Sequence, residues 1–191
     1  MKFMRAIVTG GAGFIGSHIV DLLLSKNYSV TVIDNFATGR LDNLRNKKIK
    51  VVNQSITNYE KIEKHFKKVD YVFHLAGLAD IVPSIENPSK YFDTNVKGTL
   101  NVLEASRKYN IKKFLYAASS SSYGIPKKYP TKENEILDPK YPYSLTKKLG
   151  EDLVLHWGNV FNLNVISLRF FNIYGERSRT NGNYGAMFGV F

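Results

Sequence analysis

The sequence predicts an α/β fold, a doubly wound parallel sheet with helices on both faces. Strand-like and helix-like segments alternate along almost the whole chain, which is typical of a parallel sheet covered on both sides. The first strand-like run, residues 5–9, leads into a cluster of glycines and then into apolar residues at helical spacing. Because the 191 residues contain no internal repeat and no linker-like stretch, we expect one domain.

The strands are predicted at short apolar runs rich in β-branched residues, and the helices at stretches with apolar residues three or four positions apart. After residues 5–9, further strands are expected at 29–33, 49–52, 71–75, 114–118 and 165–168. Helices are expected from about residue 15, and at 59–66, 88–109 and 143–157.

Glycines fill the turn between the first strand and the first helix. Gly11, Gly13 and Gly16 give the spacing G-x-G-x-x-G, and Gly10, Gly13 and Gly16 give G-x-x-G-x-x-G. Glycine permits a tight turn and lets the backbone approach a pyrophosphate, which then faces the N–H groups at the start of the helix. The turn therefore predicts a dinucleotide site, with a purely structural glycine turn as the alternative.

Asp34 stands at the end of the second predicted strand, 18 positions after Gly16. A carboxylate there can accept both hydroxyls of the adenosine ribose, which favours NAD over NADP. Arg40 follows closely and keeps NADP open as an alternative, and Asp34 could also be a simple turn cap.

The formal charge of +11 raises the question of nucleic acid, but the lysines are scattered and no arginine-rich tract is present. A basic surface also favours anionic small ligands such as nucleotides, so we expect no nucleic-acid partner. There is no cysteine, which agrees with a cytoplasmic location. No apolar run reaches membrane-spanning length, so we expect no membrane partner. The histidines are isolated and predict no metal site, and His74 is expected to be a core residue.

Tyr143 and Lys147 form a Y-x-x-x-K pair at the start of a predicted helix, a spacing that puts both on one helix face. A phenol with a pKa of about 10 is a poor base, and a neighbouring ammonium group, helped by an oxidised nicotinamide, is expected to lower that pKa. Ser119 opens a run of four serines at the end of the fifth predicted strand. The alternatives are a solvated helix face and a plain loop.

Glycine turn, acidic strand end, serine strand end and Y-x-x-x-K, in this order, resemble the extended short-chain dehydrogenase/reductase family. Within it, the sequence is most similar to the nucleotide-sugar epimerase branch, the UDP-glucose 4-epimerase-like proteins. The segments that carry the resemblance are 9–16, 34–39, 74–77 and 169–175. It implies a Rossmann-type NAD-binding domain over residues 1–175. It also implies the start of a truncated C-terminal substrate region at 176–191, since family members are much longer.

The same resemblance implies the site. The catalytic set would be Ser119, Tyr143 and Lys147. The residues implied to bind the cofactor NAD are Gly10, Gly13, Phe14, Ile15, Gly16, Asp34, Asn35, Thr38, Gly39, Ser55, Ile56, Leu75, Ala76, Gly77, Asn95, Tyr143 and Lys147. The residues implied to bind the nucleotide sugar are Ser84, Ser119, Ser120, Ser121, Tyr143 and Asn172. Ser55 is a departure, because the family usually has an aspartate there that meets the adenine amino group.

The expected reaction is inversion at C4 of a nucleotide sugar through a transient 4-keto sugar, with UDP as the expected nucleotide. Dehydratases of the family carry Asp-Glu directly after the catalytic serine or threonine, whereas this chain has Ser120 and Ser121, which disfavours elimination. The alternatives are a sugar-nucleotide reductase or other oxidoreductase of the same family, and a truncated module that binds NAD without catalysis. Family members pair through helices that correspond to 88–109 and 143–157, which implies a homodimer.

Overall fold

The computed structural model describes residues 3–44 and 48–178. Within them the chain forms one parallel sheet of six strands in the order β3-β2-β1-β4-β5-β6. The strands are β1 (Arg5–Thr9), β2 (Ser29–Asp34), β3 (Lys50–Asn53), β4 (Tyr71–His74), β5 (Lys113–Ser119) and β6 (Val165–Phe170). The predicted α/β fold is confirmed, and each predicted strand is present with its bounds shifted by at most two residues.

The helices lie between consecutive strands. They are α1 (Phe14–Ser25), α2 (Tyr59–Ile62), α3 (Ile81–Glu86), α4 (Pro88–Tyr91), α5 (Gly98–Lys108) and α6 (Pro142–Phe161). Short 3₁₀ turns occupy Leu41–Asn43, Glu63–Phe66 and Ser120–Tyr123, and a π-helical turn, Phe92–Lys97, joins α4 to α5.

Two predicted helices differ from the structure. The helix expected at 88–109 is interrupted by the π-helical turn, whose wider backbone carries Asn95. The segment 59–66 is one α-helical turn followed by a 3₁₀ turn. The helix α3 was not predicted at all, because six residues that include Pro83 are too few for a periodic apolar pattern.

Two clusters of apolar side chains lie on opposite faces of the sheet. On β1, Ile7 belongs to the cluster under α5 and α6, while Ala6 and Val8 belong to the cluster under α1. Successive residues of a strand point to opposite faces, so one strand supplies both cores. The sheet is therefore covered on both sides, as the alternation of strand and helix segments predicted.

The strand order reverses between β1 and β4. Strands β1 to β3 follow one another toward one edge of the sheet, and strands β4 to β6 follow one another toward the other edge. Thr9 at the end of β1 pairs with Ile33 of β2 and with His74 of β4. In open parallel sheets ligands bind at such a switch point, beyond the carboxyl ends of the strands. The predicted glycine turn and the predicted serine run lie on either side of it.

In the part of the chain that the structure describes, none of the helices is both long enough and apolar enough to cross a bilayer. Among the same residues, no three His, Asp or Glu side chains come together as a metal-binding group.

Candidate active site

A cleft of ≈ 1200 Å³ lies over the carboxyl ends of the strands. The glycine turn and the end of β2 form one wall, and the end of β5, the start of α6 and the segment after β6 form the other. The predicted site residues that line it are Gly10, Gly13, Phe14, Ile15, Gly16, Asp34, Asn35, Thr38, Ser55, Ile56, Leu75, Ala76, Gly77, Ser119, Ser120, Ser121, Tyr143, Lys147 and Asn172.

The glycine turn is held so close to its neighbours that side chains are excluded. Gly10 has φ +70°, and a Cβ there would lie 2.6 Å from the backbone nitrogen of Ala76. A Cβ on Gly16 would collide with the carbonyl of Gly10, because α1 packs directly onto the turn. Since α1 begins after Gly13 with no side-chain cap, its first N–H groups are free to bind an anion.

The carboxylate of Asp34 is fixed by the backbone on both sides. One oxygen accepts the N–H of Ala12 at 2.9 Å, and the other accepts the N–H of Phe36 at 2.8 Å. Asp34 is thus a turn cap, as the alternative interpretation held, and it also lines the cleft beside the glycine turn. Gly39 does not line the cleft, because it packs on Ala12, where a Cβ would approach to 2.9 Å.

His74 lies beneath the floor of the cleft and is fully buried. Its Nδ1 is 2.6 Å from the hydroxyl of Thr9, and its Nε2 is 2.9 Å from the hydroxyl of Thr99. Burial lowers the pKa of His74 to about 3, so the ring is neutral at physiological pH. The prediction of a core histidine agrees with this position.

Tyr143, Ser119 and Ser121 form a cluster where β5 ends and α6 begins. The hydroxyls of Ser119 and Ser121 lie 2.8 Å apart and line the same cleft as Tyr143, and both act to lower the pKa of its phenol. The N–H of Ser121 also donates to the Ser119 hydroxyl at 3.2 Å. The structure therefore brings together the serine and the tyrosine that are far apart in the sequence.

Lys147 lies one helical turn after Tyr143 and is buried. Its Nζ donates to the carbonyl of Ala117 at 2.5 Å and lies 4.8 Å from the centre of the Tyr116 ring. Burial lowers the pKa of Lys147 to about 8. Burial also raises the pKa of Tyr143, against the opposing hydrogen bonds from the two serines, so the lowering expected from Lys147 is not the net effect here.

Two predicted site residues are buried behind the cleft and do not line it. Asn95 accepts the N–H of Leu78 at 2.8 Å, and it donates at 3.0 Å both to the Leu78 carbonyl and to the Thr146 hydroxyl. Ser84 accepts the N–H of Tyr143 at 3.1 Å and donates to the Ile81 carbonyl at 2.5 Å. In this structure both side chains position the loop after β4 and the start of α6.

Some residues that shape the site were not predicted. Arg177 binds Asp21 of α1 at 2.6 Å and the carbonyl of Asn43 at 3.3 Å, and so holds the segment after β6 against the glycine-turn wall. Glu151 is buried on the same helix as Lys147. The sequence could have indicated Glu151 by its position four residues after Lys147, because side chains four residues apart lie on one face of a helix.

The sequence model of a family described as "NAD dependent epimerase/dehydratase family" matches residues 6–189. The chain belongs to this NAD-dependent epimerase/dehydratase family. Membership confirms the predicted resemblance and the predicted cofactor, NAD. A curated relative, the UDP-glucose 4-epimerase of Lacticaseibacillus casei, is 35% identical over 175 residues, which are 90% of this chain and 52% of that protein.

Solved structures give the same result for the fold. The UDP-N-acetylglucosamine 4-epimerase of Methanobrevibacter ruminantium, in complex with UDP-N-acetylmuramic acid, is 36% identical with a TM-score of 0.94, covering 99% of this chain and 61% of that one. The UDP-glucose 4-epimerase of Thermus thermophilus, in complex with NAD, is 37% identical with a TM-score of 0.89, covering 94% of this chain and 59% of that one. This family member thus spans a little over half the length of its relatives.

Proposed function

We propose that this chain carries the cofactor-binding and catalytic part of an NAD-dependent epimerase that inverts C4 of a UDP-sugar through a transient 4-keto sugar. The observation that carries the proposal is that Tyr143, Ser119 and Lys147 line one cleft that begins at the glycine turn. A phenol in such a cleft can exchange a proton with a sugar oxygen, and a neighbouring hydroxyl can hydrogen-bond the same oxygen.

The residues of the glycine turn fit a dinucleotide. A Cβ at Gly10 would collide with the backbone of Ala76 and one at Gly16 with the carbonyl of Gly10, so the turn keeps its close packing only without side chains, and the free N–H groups at the start of α1 suit a pyrophosphate. Asp34 keeps lone pairs for ribose hydroxyls after accepting two backbone N–H groups. When bound, NAD supplies the acceptor and donor of the hydride at C4.

In the proposed reaction Tyr143 takes the proton of the sugar 4-hydroxyl and later returns it. Ser119 donates a hydrogen bond to the same oxygen, on which negative charge develops. Lys147 holds the nicotinamide ribose and lowers the cost of the Tyr143 phenolate, which burial otherwise makes unfavourable. Asn172 and Ser120 contact the sugar from the same wall of the cleft as Tyr143.

The same cleft supports epimerisation better than elimination, because Ser120 and Ser121 provide no carboxylate next to Ser119. The names of the relatives point the same way. A reductase of the family would use the same phenol, but it would consume a reduced cofactor. A module that only binds NAD has no use for a phenol and two serine hydroxyls that line the same cleft.

We propose the division into an NAD-binding domain at residues 1–175 and the beginning of a substrate region at 176–191. Residues 179–191 lie outside the described part of the chain. A homodimer through the predicted helices 88–109 and 143–157 is supported by apolar side chains exposed on them: Phe92, Leu145 and Leu155 are 38–43% exposed. The cytoplasmic location stays a prediction.

The test is to incubate the purified chain with NAD and, separately, with UDP-glucose, UDP-N-acetylglucosamine and UDP-glucuronate, without reductant, and to follow C4 isomers by proton NMR. We expect conversion of at least one sugar, lost in Tyr143→Phe. In a parallel assay with added NADH and a 4-keto sugar nucleotide, consumption of NADH without isomerisation would favour the reductase. Tight NAD binding with neither reaction would contradict catalysis by this chain, and a longer product of the gene would then be assayed in the same way.

A further inference from the structure

The segment that follows β6, residues 171–178, runs from one wall of the cleft to the other, and we call it the strap. At its beginning the ring of Phe171 stacks on that of Tyr123, next to the serine run, with 6.3 Å between the ring centres. Near its end Arg177 pairs with Asp21 of α1, on the glycine-turn wall. The strap forms no helix and no strand, so it depends on such side-chain contacts to stay in place.

Three consecutive residues of the strap follow one face of α1. In order, they are Gly175, whose Cα faces Phe14 so closely that a Cβ would lie 3.6 Å from its Cζ, Glu176, whose carbonyl is 2.8 Å from His18 Nε2, and Arg177, whose Nη2 is 2.6 Å from Asp21 Oδ2. Helix positions 14, 18 and 21 share one face and span about 10 Å of the helix axis. Because α1 starts at Phe14, the strap meets the helix at the glycine turn.

The ion pair at the end of the strap is partly buried. The side chain of Arg177 is 11% exposed and that of Asp21 is 38% exposed. Arg177 Nη1 also donates to the carbonyl of Asn43 at 3.3 Å, so one guanidinium joins the strap to α1 and to the loop after β2. Arg177 has φ +67°, a conformation that is unfavourable for a residue with a side chain. The ion pair therefore holds the strap in place against backbone strain.

The strap also forms part of the lining of the cofactor cleft. Arg177 and Ser178 line the same cleft as Gly10 and Gly13 of the glycine turn. We propose that the Arg177–Asp21 pair is a latch that keeps the strap closed against the glycine-turn wall and slows both the entry and the release of NAD. The latch joins two parts of the protein, so it acts on the rates of exchange more than on the affinity. This inference concerns the cofactor and stands whether or not the chain epimerises a sugar.

The test measures cofactor exchange by stopped-flow fluorescence. Mixing the free protein with NADH gives the entry rate, and mixing the NADH complex with excess NAD gives the release rate. In Asp21→Asn we expect both rates to rise about five- to tenfold, as for the loss of one partly buried charged pair, while the Kd for NADH stays within about twofold. Asp152→Asn, which removes an exposed carboxylate paired with Lys148 on α6, is the matched control and should leave both rates unchanged.

A double-mutant cycle separates the pair from the effect of either side chain alone. In an Arg177→Gln background the latch is already lost, so Asp21→Asn should add little to either rate. An equal effect of Asp21→Asn in both backgrounds would overturn the proposal. A faster release with a higher Kd and an unchanged entry rate would also overturn it, because that result would indicate a damaged cofactor site instead of an open strap.

The absence of cysteine from the chain permits the reverse experiment. In Asp21→Cys/Arg177→Cys, a short bismaleimide added to the NADH complex joins the strap covalently to α1. We expect NADH release to be faster than in the wild type before this reaction and slower than in the wild type after it. Release that stays fast in the linked protein would mean that the cofactor does not pass the strap, and the proposal would be wrong.

Discussion

The two walls of the cleft are built in different ways. The wall formed by β1, β2 and α1 presents backbone: a turn without side chains, free N–H groups, and a carboxylate that is itself tied to the backbone. The wall formed by β5 and α6 presents two side chains whose pKa values differ from their ordinary values, the half-buried Tyr143 and the buried Lys147. The first wall would bind NAD through the shape of its backbone, and the second would act through the protonation of its side chains. Substitutions in the first wall should therefore lower NAD affinity, and substitutions in the second should lower turnover.

The largest effect is expected at the second wall. In Tyr143→Phe the phenol oxygen is lost, and turnover of the epimerised sugar should fall by about 10²–10⁴-fold, the usual contribution of a general acid–base group. NAD affinity, measured by isothermal titration calorimetry, should stay within a few fold of the wild type. A parallel loss of NAD affinity would mean that the two walls are not separate in function.

A smaller effect is expected when the first wall is distorted. In Gly10→Ala the added Cβ meets the backbone of Ala76, and the residue must keep a φ of +70°, a strain of about 1–3 kcal/mol. We expect NAD affinity to fall by at least about tenfold, because the turn must move away from the cofactor. The matched control is Gly124→Ala, at φ +67° beside the serine turn, which should lower stability and leave NAD affinity nearly unchanged. Equal losses of affinity in both variants would contradict the comparison.

The neutral histidine beneath both walls should make stability depend on pH. Its pKa is lower in the fold, about 3, than the ordinary 6.5, so the unfolded chain binds one more proton between these values. The free energy of unfolding therefore contains the full contribution of the neutral His74 above pH 6.5. That contribution is lost as the pH falls toward 3, at up to about 1.4 kcal/mol per pH unit. Urea unfolding from pH 7.5 to 4.5 would measure the pH dependence of stability in the wild type and in His74→Gln. The difference between the two pH dependences should disappear if His74 is protonated in the fold.

The smallest effect is expected at Ser84. In Ser84→Ala the N–H of Tyr143 loses its acceptor near the start of α6, which should cost about 1 kcal/mol in thermal unfolding. Because Ser84 is buried behind the cleft, the KM for a UDP-sugar should stay close to the wild-type value while kcat falls modestly with the position of Tyr143. A large rise in KM with unchanged stability would mean that Ser84 contacts the sugar, as the sequence had led us to expect.

The share of structural features that the sequence predicts also differs between the two walls of the cleft. The strands, the glycine turn and Asp34 are local patterns, and the sequence identified them because turn chemistry and apolar runs are read over a few residues. The positions of Asn95 and Ser84 depend on contacts across 51 and 59 residues, to Thr146 and Tyr143. The π-helical turn around Asn95 and the short α3 have no periodic signal, so their effect on the site emerges only from the packed fold.

One consequence of the Thr9–His74–Thr99 hydrogen bonds concerns the way the molecule opens. They tie β1, β4 and α5 together under the cleft, where the N–H groups of Gly10 and Leu75 also bond to Ile33 and Thr9. Those amides should exchange with heavy water only when the whole domain unfolds, whereas amides of the exposed loop at 125–137 should exchange through local fluctuations. The junction of β1 and β4 would then be the last part of the protein to unfold. NAD would therefore bind against the least mobile surface of the protein.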